Sequence, residues 1–280
     1  MELTKGGSVP GTNVSGAPSN YWGALASGAL PLELSGELKS GRNPDIDTGS
    51  VPEDIWTAGG VHQQLTTAQR IAFSSTSPLD TAAGTGMRSV IIFGLQSWSS
   101  LETFEIVELA GGSNAFTVES YVFVNRVFGV TWGTTNGVNA GDVKAEGETD
   151  GTTQALIRAG DNTALQSIYG FPAQIFCAVV NFYAVLNRQS SAGSADVRLL
   201  VKARADQSDA SYVIGQHIGL ANQGGPWDHE LGPYAVLRGP GIVKVQAVEV
   251  SNNNTDISSG FRLMEYETSN LPVGVSWRGM

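Results

Sequence analysis

From residue 61 onward, apolar side chains fall in short runs or at every second position, the period of a strand rather than of a helix. Ser89 to Leu95 (SVIIFGL) is a β-branched and aromatic run suited to a buried strand. Thr103 to Leu109 and Val118 to Val130 follow, separated by the turn residues Ala110-Gly111-Gly112-Ser113-Asn114. In Val197 to Arg204 one face carries Val197, Leu199, Val201 and Ala203, while Arg198, Lys202 and Arg204 lie on the other, with Leu200 the exception. Ile242 to Val250 alternates in the same way, and Phe261 to Tyr266 closes the series. Gln174 to Leu186 is long enough for a helix, but its Ile, Val, Phe and Tyr favour a strand or strand pair. Turn clusters at Gly133 to Asn139, Glu146 to Gly151, Ser190 to Ser194, Gln223 to Trp227 and Ser251 to Asp256 punctuate these runs. Many short strands at this spacing predict an all-β fold, a β-sandwich or jelly-roll-like domain.

The first 60 residues break this pattern. They hold 11 of the 35 Gly and 5 of the 11 Pro and show no sustained period. They also carry Tyr21, Trp22, Leu25, Leu30, Leu32, Leu34, Leu38, Ile46, Val51, Ile55 and Trp56, anchors that disordered linkers lack. The expectation is an extended, irregular N-terminal docking arm over 1–60, followed by one sandwich domain over 61–280. Such an arm gains stability by lying on another surface.

Charge narrows the partners. Only 15% of residues are charged, against roughly 25% in ordinary soluble domains. The net charge is −10, and the scattered Arg residues form no basic run. Nucleic acid and anionic membranes are therefore not expected as partners. Cys177 is the one cysteine and sits in an apolar run, so it reads as a small buried hydrophobe. The opening MELTKGGSVPGTN has no apolar signal region, and the longest apolar stretch, Ile175 to Leu186, is interrupted by Asn181. It falls short of the roughly 20 residues that cross a bilayer. The expectation is a soluble protein made in the cytoplasm.

Candidate chemistry is sparse. Gly84-Thr85-Gly86 lacks the third glycine and following helix of a dinucleotide site. His62, His217 and His229 form no ligand pair, and Trp227-Asp228-His229-Glu230 reads as a solvated loop. Glu105 and Glu108 are an odd number of residues apart and point to opposite faces of a strand. Asp142, Glu146, Glu148 and Asp150 lie in a Gly-rich loop, and no G-x-S-x-G occurs. Asp45 and Asp47, with Glu53 and Asp54 nearby, have oxygen ligands suited to calcium, but turn capping by the two Asp and a first helical turn after Pro52 for Glu53 and Asp54 explain them better. Trp98, Trp132 and Trp227 each stand beside a turn and are candidates for stacking on a host glycan, with buried anchoring as the simpler reading. No enzyme activity, cofactor or metal is expected.

The most distinctive stretch is Gly41-Arg42-Asn43-Pro44-Asp45-Ile46-Asp47-Thr48-Gly49-Ser50-Val51-Pro52-Glu53-Asp54-Ile55-Trp56, followed by Gly59-Gly60. It resembles a motif near the N-terminus of structural proteins from tailed-bacteriophage virions. The resemblance covers residues 41 to 60 and transfers no catalytic residue. It implies a virion protein, either a tail-associated fibre or appendage subunit or a capsid decoration protein. Its implied partners are other virion proteins and further copies of itself. In that setting Arg42, Asp45, Asp47, Pro52 and Trp56 are the expected docking residues. Arg42 would brace the turn by pairing with Asp45 or Asp47, and Trp56 would seal the base of the arm.

Overall fold

A computed structural model describes residues 34–134, 137–188, 193–221, 226–231 and 236–267. Among them every regular element is a strand and none is a helix. The chain is all-β, as the alternation predicts.

Its strands build two sandwiches, the sequence of one inserted into that of the other. The chain opens with β1 (Leu34–Ile46) and β2 (Glu53–Asp54). It then forms β3 (Ile71–Ser75), β4 (Met87–Leu95), β5 (Thr103–Glu108), β6 (Ala115–Phe116), β7 (Phe123–Trp132), β8 (Val143–Gly147) and β9 (Thr153–Ile157). The final set is β10 (Ile168–Phe171), β11 (Ile175–Arg188), β12 (Ser194–Ala203), β13 (Val213–Ala221), β14 (Trp227–Glu230), β15 (Val236–Arg238), β16 (Gly241–Val250) and β17 (Thr255–Glu267). Among the described residues, strands β3 to β9 form sheets only with one another, β6-β3-β8-β9 and β5-β4-β7. The remaining strands form the outer lobe, with sheets β1-β17-β11-β14 and β10-β16-β12-β13; β15 adds to β11 and β2 to β16.

Each lobe has its own core. Val179, Phe182, Phe261 and Leu263 of one outer sheet meet Val197, Leu199, Val243 and Val245 of the other. Ile71, Phe73, Val143 and Ala145 of the inner lobe meet Val90, Ile92, Val107 and Val127 across its own interior. A third cluster, containing Trp56, Leu95, Phe123, Ile168 and Ile242, joins the lobes. The single domain expected over 61–280 is therefore two sandwiches, and the outer one is closed by residues from both ends of the described chain.

Residues 34–60, expected to be irregular arm, are structured on their own chain. Strand β1 pairs antiparallel with β17 from Leu34↔Tyr266 to Ile46↔Thr255. Its period was hidden because its inward positions are Glu37, Lys39, Gly41 and Asn43 rather than apolar residues. Pro44 is accommodated where the register shifts between Asn43 and Ile46, the kind of irregularity at which a missing amide is tolerated. The rest of the expected arm, residues 1–33 with Tyr21, Trp22, Leu25, Leu30 and Leu32, lies outside the described residues. Gln174 to Leu186 is strand, as β11.

Candidate functional site

The distinctive stretch folds into the throat through which the chain leaves the outer lobe and returns to it. On the outgoing side the Glu53 carboxylate accepts Asn43 Nδ2 at 2.9 Å and the Gly60 amide at 2.8 Å, and Ser50 Oγ also donates to it. Trp56 Nε1 donates to the Gly60 carbonyl at 3.0 Å. Gly59 and Gly60 take φ of +72° and +67°, which glycine adopts without strain and which closes this loop. On the returning side, the Thr57 amide and hydroxyl both donate to the Leu165 carbonyl at 3.0 Å. The Ser167 amide donates to the Ile55 carbonyl, also at 3.0 Å. Gly41 lies directly over that crossing: a Cβ there would collide with Ile55 O and Ser167 N.

Beneath the throat is a buried ionic group. Asp54 Oδ2 accepts Lys244 Nζ at 2.8 Å and the His62 amide at 2.8 Å, while Oδ1 accepts Gln246 Nε2 at 2.9 Å. Burial raises the Asp54 pKa and the Lys244 cation opposes that rise. Lys244 also lies 4.5 Å from the centroid of Tyr212, a cation–π contact that offsets part of its desolvation. The His62 ring packs against Trp56 at 5.1 Å and Phe123 at 5.7 Å. Burial first, then the Lys244 charge, push its pKa down to about 3.

These contacts relocate the residues expected to dock. Arg42 pairs with neither Asp45 nor Asp47. It makes a two-pronged contact with Asp256, Nε–Oδ1 at 3.0 Å and Nη2–Oδ2 at 2.6 Å, because β1 lies beside β17. Asp45 is exposed, and its amide is held by Asn43 Oδ1 at 3.2 Å. Asp47 caps the turn, accepting the Asn254 amide at 2.9 Å. Pro52 is exposed. Trp56 is 4% exposed and belongs to the cluster between lobes, so it supports the fold rather than a partner. The four acids weighed for calcium do not converge: among the described residues no group of three or more His, Cys, Asp or Glu is placed to hold a metal ion.

Other candidates disperse too. Glu105 accepts the Val118 and Glu119 amides at 2.6 and 3.2 Å, whereas Glu102 accepts Asn125 Nδ2 at 2.6 Å. Asp142 pairs with Arg158 at 3.0 Å, and Glu148 pairs with Arg70. Trp98 packs on Phe123 at 5.6 Å, Trp132 donates to Asn162 Oδ1 at 2.9 Å, and Trp227 packs on Phe182 at 5.2 Å. All three are partly buried anchors. Cys177 is fully buried, and its thiol pKa is pushed up by burial.

One surface stands out, and sequence reasoning missed it. The outward face of the β5-β4-β7 sheet is a grid in which Phe93 pairs with Phe104 and Arg126, and Ile91 with Ile106 and Phe128. Phe104 is 61% exposed and Ile106 53%. The Phe93 ring lies 5.6 Å from Phe104 and 5.8 Å from Phe128. Arg126 is tied at the edge to Glu37 and to the Leu38 carbonyl. The run SVIIFGL, apolar on both strand faces, was the available signal: one face is core and the other needs a cover. No family model matches the chain, and no curated protein matches it.

Proposed function

We propose that the protein is a structural virion subunit of a bacteriophage, a tail-associated fibre or appendage component that self-associates through its inner sandwich. The observation that carries this reading is the apolar grid of Ile91, Phe93, Phe104, Ile106 and Phe128. Exposed apolar patches of this kind mark interaction surfaces, since leaving them in water is costly. A sheet face of paired rows suits a second copy of itself across a twofold axis, where each row meets its own equivalent. The low charge of the chain and the likeness of residues 41 to 60 to virion proteins point the same way.

Two measurements test it. Imaging purified particles with the protein labelled should place signal on the tail; signal over the whole head would instead mark a capsid decoration protein. In solution the chain should self-associate, and Phe104→Glu with Ile106→Lys should yield a folded monomer. A wild-type chain that stays monomeric at high concentration would remove the self-association claim.

A further inference from the structure

Between the two lobes lies a second buried polar group with the elements of an amide-forming site. Lys39, on the inward face of β1, is 3% exposed. Its Nζ donates to the main-chain carbonyl of Asn125 in β7. Among the described residues no carboxylate lies within ion-pair distance of that amine. The Asn125 side chain is 1% exposed and is clamped by one residue: the Gly170 amide donates to Oδ1 at 2.8 Å, and Nδ2 donates to the Gly170 carbonyl at 2.9 Å. That reciprocal pair fixes which atom is oxygen and which is nitrogen. Nδ2 also donates to Glu102 Oε1 at 2.6 Å. Glu102 is an exposed residue whose carboxyl turns inward to make this contact.

We propose that Lys39 and Asn125 join in an intramolecular isopeptide bond, with Glu102 as the proton carrier, so that the two lobes are covalently linked. The amine is hydrogen-bonded to the main-chain carbonyl of the residue whose side-chain carbon it attacks, and a rotation about the end of the lysine chain brings it to Cγ. The Nζ lone pair adds to Cγ of Asn125, and the Gly170 amide stabilises the negative charge that develops on Oδ1. Once bonded to Cγ, Nζ shares that carbon with Nδ2 and so comes beside the Glu102 carboxylate that already holds Nδ2, which takes the proton from Nζ and delivers it to Nδ2. The Cγ–Nδ2 bond breaks, ammonia leaves, and an Nζ–Cγ amide remains. One carbon–nitrogen bond replaces another, and no oxidant or co-reactant enters. Both titrating groups are set for these roles. Burial, then the Arg126 charge, lower the Lys39 pKa to about 8, favouring the neutral nucleophile. Desolvation raises the Glu102 pKa, which suits a group that must both accept and release a proton. The link is independent of the virion reading, because it concerns the chain's own covalent structure.

The test is intact mass spectrometry of the purified full chain, followed by peptide mapping. The expected mass is lower than the sequence mass by one ammonia, with a branched peptide joining Lys39 to Asn125. Lys39→Arg and Asn125→Ala should return to the mass of their sequences. Glu102→Gln, at an exposed residue, should fold and lose most of the link. A folded native chain at full sequence mass, or an ammonia loss that persists in Lys39→Arg, overturns the proposal.

Discussion

His62 makes the protein's stability fall with acidity in a way that one substitution should cancel. Its ring is held between Trp56 and Phe123, and Nε2 has no hydrogen-bond partner among the described residues. Its pKa in the fold is about 3, against about 6.5 for an unperturbed imidazole. The folded value is the depressed one, so the unfolded chain binds the proton more tightly. This contribution is therefore complete above about pH 6.5 and is lost as the pH falls toward 3. Each unit of pH within that window removes about 1.4 kcal/mol, so a fall from about pH 6.5 to about pH 4.5 costs roughly 3 kcal/mol. Asp54 works in the opposite sense, because its raised pKa lets the folded state hold a proton more readily in the carboxylate range. The informative quantity is thus the difference between wild type and His62→Phe, in which Asp54 and the surface carboxylates largely cancel. Phenylalanine keeps the ring packing and removes the orphan nitrogen, while the residue-62 amide still reaches Asp54. Urea unfolding across this range should show the variant gaining on wild type by roughly 3 kcal/mol at the acid end. Parallel stability curves would refute the reasoning.

Two further substitutions probe the throat. Lys244→Met leaves Asp54 buried without its charge partner and should cost about 3–5 kcal/mol by urea unfolding. Adding Asp54→Leu should recover much of that loss, since the orphaned charge is what destabilises; no recovery would contradict this. Gly41→Ala forces a Cβ against Ile55 O and Ser167 N and should cost about 1–3 kcal/mol in thermal unfolding. Gly49→Ala, which meets open space, is the matched control and should leave the transition unmoved.

What the sequence made legible follows from where apolar residues carry the pattern. Val197, Leu199 and Val201 face the core from β12, and Val243, Val245 and Ala247 face it from β16, so period-2 reading finds both strands. Strand β1 escaped because the surface it covers is polar: Lys39 reaches Asn125, Asn43 reaches Glu53, and Gly41 makes room for a crossing backbone. The insertion escaped for a different reason. Residues 57–65 and 164–165, where the chain changes lobes, carry no long linker, because both crossings are stapled side by side. Arg42 found Asp256, 214 positions away, and no local spacing encodes that partner. Trp56, expected at the base of a docking arm, is buried in the cluster between the lobes; an aromatic that seals an interior and one that awaits a partner look alike in one dimension.

That geometry changes what the Gly41 to Gly60 stretch encodes. A lobe inserted into another requires the chain to exit and re-enter within a few ångströms. The exit here must turn sharply, bury an indole and present its carbonyls to the returning strand. Asn43, Glu53, Trp56, Gly59 and Gly60 answer those demands with contacts inside the chain. Any chain resembling this one across these residues should therefore share the throat and the inserted lobe before it shares a partner. The motif speaks for architecture, and under the proposed function assembly rests instead on the exposed rows of β5, β4 and β7. Those rows sit on the inserted lobe, on strands that also reach the clasp: Leu95 of β4 and Phe123 of β7 pack with Trp56, and Arg126 of β7 is tied to Glu37 and the Leu38 carbonyl. A change at Phe104 or Ile106, both on β5, should therefore leave the clasp intact, whereas a change at Arg126 removes a contact with β1.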